Sequence, residues 1–354
     1  MDAPALTFDD TALRAPVDAT RARAEASSLR RRAGGRVGEV AGLGWVVVQS
    51  VVLVAGLGIL VALAVLVVQM IFGAYGANVL TIVIAVLIVL PFAIIRARGV
   101  MASRRATEAA WYGLTRFAAA NGLTFQLIEP DPQGAAAIYR VGKHRVATDI
   151  IDRPGAQGPT VSSYAFDTFV GRTRMPHAHT VVRFGLSSRL PSFVIATKTR
   201  GLVARAWEDA PWWHTLPIDA SFDERFEVRC APRDADAVRG ILTPLVRRAL
   251  ALAAYADIEV TGTEVFVVTR SAVPTADPAF WKWVGELAGM VRLLDGAPEP
   301  AAEPAIGTGD DARSHLDALF TSPPVAKTAA VGCLVPLLIG LTAAAVLTVL
   351  GVAS

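Results

Sequence analysis

Charge is scarce in this chain and unevenly withheld. Only 18% of the 354 residues are Asp, Glu, Lys or Arg, against 53% hydrophobic residues and a mean hydropathy of +0.46. That balance lies on the apolar side of ordinary globular domains. Cysteine is nearly missing: Cys230 and Cys333 form no CxxC pair and no framework, so disulfides have no part in the design. No GxxxxGK[ST] loop occurs, and the Gly-x-Gly pairs at 42–44 and 56–58 sit at or within an apolar run instead of a strand-to-helix turn, which argues against a nucleotide site. The GLSSR at 185–189 lacks the second glycine of a nucleophile elbow, and there is no HExxH. No catalytic residue and no cofactor is therefore expected.

What the chain does have is long apolar runs. Residues 44–72 carry no charge and would measure about 43 Å as a helix, against about 30 Å of bilayer hydrocarbon. Residues 79–95 are also uncharged, with Pro91 near the end, and residues 329–352 form a third run. These predict three transmembrane α-helices. Arg30, Arg31, Arg32 and Arg36 precede the first run and Arg96, Arg98, Arg104 and Arg105 follow the second. The loop between them, GAYGAN at 73–78, has no charge. By the excess of basic residues on cytoplasmic flanks, this predicts a multi-pass inner-membrane protein with a cytoplasmic N-terminus and main domain, and with loop 73–78 and the C-terminus outside.

Residues 1–43 combine seven arginines with six acids and few large apolar side chains. They read as a disordered basic tail with at most a transient helix at 22–29. Arg30, Arg31, Arg32 and Arg36 are candidate contacts for anionic lipid, although a cluster beside a span also serves simply as an orientation signal. Residues 295–328, rich in Pro, Ala and acid, read as a linker to the last span.

Residues 96–294 remain for a cytoplasmic domain. Ala106–Ala120 has the spacing of an amphipathic helix, continuing from the apolar run at 79–95 and stopped by Asn121-Gly122. Hairpins are signalled around Gly142-Lys143 and Thr261-Gly262, with further strands at VSSYAFDTFV, HTVVRFGL, SFVIATKT and RFEVRC. Helices follow at 234–242, from Thr243-Pro244 to about 255, and from Asp277-Pro278. Strands first and helices mixed in later predict α+β with an antiparallel sheet. The stretches LPSFVIATK at 190–198 and FDERFEVRCAPRDADAVRGILTPLVRRAL at 222–250 resemble cytoplasmic domains of uncharacterised bacterial, especially actinobacterial, membrane proteins. That resemblance implies a fold and a membrane setting and supplies no catalytic residue.

Two constellations carry candidate chemistry. His177 and His179 would share one face of a strand and could chelate a metal with His144, Asp149, Asp152 or His214, although polar residues in a loop and strand edge beside Pro176 are the simpler reading. WEDAPWWHTLP at 207–217 concentrates Trp207, Trp212 and Trp213, which suits a ligand groove, a membrane contact or packing under a loop. Cys230 reads as a small packing residue. The function expected from the sequence is a non-catalytic, membrane-anchored interaction or regulatory module with a protein partner and membrane lipid, and no nucleic acid. The alternatives are a membrane-surface enzyme or a lipid or ligand sensor.

Overall fold

The structure is a computed structural model that describes residues 6–34, 77–155, 158–198, 213–253 and 255–296. Two helices open it, α1 at Thr11–Arg14 and α2 at Ala19–Arg32, followed by the long α3 at Ala77–Ala120. Strands β1 at Thr124–Pro130, β2 at Lys143–Asp152, β3 at Thr160–Val170 and β4 at Thr173–Thr197 come next. Then follow β5 at His214–Leu216, α4 at Ala220–Asp223, β6 at Phe226–Cys230, α5 at Ala235–Ile241, α6 at Pro244–Ala249, β7 at Ala256–Thr269 and α7 at Pro278–Leu294.

All seven strands join one antiparallel sheet, and β4 is its spine. One edge of β4 pairs with β3 from Thr173 to Arg183 and, further along, with β6 from Phe193 to Thr197. Its other edge pairs with β7 from Val181 to Ile195. A strand this long alternates burial only in part, because both faces of its middle are covered. On one face lie α3 and α7, whose Phe117, Phe280, Trp281 and Trp283 are fully buried against Val182, Phe184, Phe193 and Ile195. On the other face a smaller cluster of Ile138, Ile150, Tyr164, Phe166, Phe266 and Val268 is closed by the 3₁₀ turn at Ala137–Arg140. That turn is pinned where the buried Glu259 carboxylate accepts the Ala137 amide at 2.9 and 3.0 Å, and where Tyr164 donates to the Ile138 carbonyl.

Several sequence expectations change here. The pattern around Gly142-Lys143 predicts a hairpin, but its first arm is the 3₁₀ turn, because the amide of Ala137 goes to Glu259. The two runs around Gly262 form one strand, β7. The chain does not reverse at this glycine, with φ of +64°; it passes an irregularity opposite Leu190. HTVVRFGL and SFVIATKT likewise fuse into β4. The serines of GLSSR between them are held by Asp295 just past α7, which accepts the amides and hydroxyls of Ser187 and Ser188 at 2.6–3.1 Å.

The largest correction concerns membrane crossing. Among the described residues no helix is long and apolar enough to cross a membrane. Among the described residues this contradicts the expected transmembrane α-helices, the membrane and transmembrane classification, and the multi-pass inner-membrane location with loop 73–78 and the C-terminus outside. Runs 44–72 and 329–352 lie outside the described residues, as does most of linker 295–328. Residues 79–95 are not a separate element. The backbone stays helical through Pro91 and past Ile95 to Ala120, so the helix expected at 106–120 does continue from this run.

The N-terminal region is the second correction, since residues 6–34 fold instead of staying disordered. Their apolar side chains are few but each finds a slot. Phe8 meets Phe117 and Trp281 at 5.9 and 5.1 Å between ring centroids, and Ala22, Ala26 and Leu29 form a buried stripe on α2. Asp18 caps α2 by accepting the amides of Thr20 and Arg21. The Asp9 amide donates to Asn121 Oδ1 at 2.7 Å while Asn121 Nδ2 returns a bond to the Asp9 carbonyl, so the residue read as a helix stop is also a latch.

Gly285 of α7 makes that docking testable. A Cβ there would stand 2.4 Å from the Leu6 carbonyl oxygen. Helix propensity alone favours Gly285→Ala by about 1 kcal/mol, whereas the crowding should destabilise by about 1–3 kcal/mol. We expect a lower urea midpoint. An unchanged or raised midpoint would show that residues 6–34 do not pack as described.

Candidate functional site

Residues α2 and α3 share assemble a basic surface. The latch puts Asp9 at Asn121, Leu13 lies against Gly113, and Arg30 donates to Glu108 at 3.2 Å, so the N-terminal segment runs antiparallel to α3. Past Arg30, the last turn of α2 therefore lies beside the α3 turns that precede Glu108. Arg31 and Arg32 there are exposed, as are Arg98, Arg104 and Arg105 on α3. From residue 98 to 107 every α3 side chain but Val100 is exposed, so this part of the helix leaves the body of the fold. No acid occurs in 26–34 or 96–107. The nearest, Glu108, is already held by Arg30.

The root of this collar interlocks Glu108, Arg30, Trp111 and Asp149. The Arg30 guanidinium sits 5.2 Å from the centre of the Trp111 ring, a cation–π distance. Trp111 in turn donates its indole N–H to Asp149 Oδ1 at 2.8 Å. Asp149 has φ of +51° at an irregularity in the pairing of β2 with β3, a conformation that aims its carboxyl at α3. Burial pushes the Asp149 carboxyl up to about 6, with the Trp111 bond working the other way.

The histidine pair is not brought together as a chelate. His177 and His179 do share a face of β4, but Phe166 stacks on both rings, at 5.1 and 5.8 Å. His177 Nε2 bonds Thr168 Oγ1, and His179 Nδ1 donates to the Thr269 carbonyl at 2.8 Å. His144 turns to Asp167 instead, Asp149 to Trp111, and Asp152 to Thr160, while His214 lies on β5. Among the described residues no group of three His, Cys, Asp or Glu is arranged to hold a metal. His179 is 5% exposed and its Nε2 has no partner. Burial holds its pKa below the ordinary histidine range, opposed by the bond to Thr269.

Trp207, Trp212 and Arg36 lie outside the described residues. Trp213 is half-buried against Val194 and Ala196, and lines a shallow cleft of about 300 Å³ with Arg189, Ser192 and Arg233. Cys230 is buried in the core and burial raises its pKa, the wrong direction for a nucleophile.

No protein-family model matches the chain. No curated protein matches it. A crystal structure of the mycobacterial trehalose monomycolate transport factor A, TtfA, aligns with 54% of this chain and 96% of its own, at 13% identity and a TM-score of 0.34. A likeness this slight carries no weight for fold or function, which must come from the residues.

Two buried groups give pH slopes of opposite sign. The unfolded His179 ring takes a proton near pH 6.5, about the reference value, while the folded ring resists, so its contribution to stability is lost as pH falls below that point. His179→Leu should flatten this acid slope in urea titrations whatever it does to absolute stability. Asp149 is the reverse: with its folded pKa raised to about 6 from 3.8, the stability it contributes is present below the unfolded value and lost as pH rises through the folded one. Asp149→Asn, which keeps an acceptor for Trp111, should therefore raise the midpoint above about pH 6 and leave it unchanged in acid. A parallel shift at all pH values would rule out ionisation as the cause.

Proposed function

We propose that this chain is a non-catalytic interaction module that docks on an anionic lipid surface through Arg31, Arg32, Arg98, Arg104 and Arg105. The supporting observation is the exposed, acid-free stretch of α3 from 98 to 107, which leads into the turn beside the end of α2 where Arg30 meets Glu108. Arginine near an anionic leaflet contributes about 1 kcal/mol per charge, so five give on the order of 5 kcal/mol at low salt. That is reversible docking, strengthened when the same surface is met at more than one point. Anchoring of the collar through Arg30, Trp111 and Asp149 supports the reading, because a fixed collar presents its charges together at little entropic cost.

The test is binding of the full chain to vesicles of phosphatidylcholine with and without phosphatidylglycerol. The preference for the anionic vesicles should fall at least about 10-fold in a variant combining Arg98→Gln, Arg104→Gln and Arg105→Gln. It should also shrink steeply with salt as the Debye length shortens to about 8 Å. Equal affinity for both vesicles, or indifference to salt, contradicts the proposal. A stoichiometric protein crosslinked in cells through Ser103→Cys and lost in the same triple variant would replace lipid with a protein partner.

A further inference from the structure

The ribbon formed by β3 and β4 extends past the sheet that supports it. Pairing of β3 with β2 begins at Asp167 and runs away from the tip, and β4 meets β7 only from Val181 onward. Residues 168–175 are thus paired only with each other. They close through a two-residue turn, Gly171-Arg172, with Val170 opposite Thr173 and φ of +61° at Gly171, which suits glycine in such a turn. The root is fixed: the Asp167 side chain, 4% exposed, accepts Arg174 Nε at 2.8 Å and meets His144 Nδ1 at 2.9 Å.

Beyond that root every residue from Phe169 to Pro176 is exposed. Phe169 is 45%, Val170 72% and Met175 45% exposed, three of the five large hydrophobic residues most open to water among the described residues. The register puts Val170 and Met175 on one face of the ribbon, and Phe169 and Pro176 on the other. Arg172 and Arg174 flank them, and residues 168–178 contain no acid. A protein surface would cover one face and leave the other in water. The boundary between headgroups and acyl chains covers both, and its phosphates meet Arg172, while Arg174 stays paired with Asp167 at the root.

We infer that this tip, residues 169–175, inserts into the interfacial layer of an anionic leaflet. The inference rests on the proposal that the chain meets such a surface, and adds a point of penetration to the docking collar. The ribbon reaches about 10 Å past Asp167 at roughly 3.3 Å per residue, which matches the roughly 5–10 Å depth of interfacial elements.

The experiment uses the full chain with Cys230→Ala and Cys333→Ala, an environment-sensitive fluorophore on Val170→Cys, and a parallel sample labelled on Ser103→Cys in the collar. Vesicles contain equal parts of phosphatidylcholine and phosphatidylglycerol, with quenchers attached to the acyl chains. The label at 170 should shift to the blue and be quenched, and Phe169→Ser with Met175→Ser should weaken vesicle affinity about 10-fold without lowering the melting temperature. A label at 170 that stays aqueous while the one at 103 reports lipid overturns the insertion alone. Silence at both positions overturns the collar proposal with it. A shift at 170 that follows protein concentration without vesicles would assign the tip to a second copy of the chain and overturn insertion.

Discussion

Everything in the described fold hangs on β4. A strand of 25 residues has room for two partners end to end on one edge and a third along the other, and β3, β6 and β7 occupy those places. Its middle is therefore covered on both faces. The helices α3 and α7 cover one face, and the 3₁₀ turn at Ala137–Arg140 covers the other. Buried polar groups hold these layers in register: Glu259 on the turn, Asp257 accepting the amide and hydroxyl of Thr197, and Thr269 bonded to the Thr180 amide. Each satisfies a backbone group that would otherwise be stranded in an apolar layer. The length of β4 has a further consequence, because its first residues run beyond the sheet and carry the exposed tip with them.

The second constraint is the latch between the N-terminal segment and α3. Asn121 ends the helix and binds Asp9 in both directions, while Phe8 fills the space beside Trp281. This sets the course of α2, and the course of α2 sets which arginines become neighbours. Arg30 is consumed structurally by Glu108 and Trp111, and the arginines after it are left facing outward with those of α3. The basic surface is thus a product of packing some 20 to 35 Å away along the helix at about 1.5 Å per residue.

Much of the α+β domain was legible because its signals are local. The caps at Thr243-Pro244 and Asp277-Pro278, the stop at Asn121-Gly122 and the alternation in β3 and β6 each depend on neighbours within a few residues. What was not legible depends on distant partners. Whether the chain reverses or runs straight through Gly262 is decided by a long strand lying alongside, and Ala137–Arg140 bends away from a strand because of a carboxylate 122 residues distant in sequence. The tail at 6–34 looked too poor in apolar residues to fold, yet it borrows its core from α3 and α7. The continuity of 79–95 with the amphipathic half of α3 was legible, since no proline separates the apolar run from 106–120. Of the candidate site, Arg30, Arg31 and Arg32 stood out as a run, but their grouping with Arg98, Arg104 and Arg105 needs the antiparallel course of α2. The ribbon tip gave no motif, since exposure of Phe169, Val170 and Met175 follows from where β2 and β7 stop pairing. His177 and His179 do share a face, as the alternation indicated, and what the sequence could not show is that Phe166 stacks on both rings.

The central claim is that α3 from 98 to 107, the last turn of α2 and the ribbon tip form the surface that meets an anionic leaflet. Amide hydrogen exchange of the full chain, with anionic vesicles and with neutral ones, tests it most directly. The account predicts that anionic vesicles slow exchange at 98–107, 30–34 and 169–176 while β4, β6 and β7 keep the rates they have alone. Unchanged rates in those three segments, or protection appearing instead around Trp213 and the cleft beside Arg189 and Arg233, would contradict it.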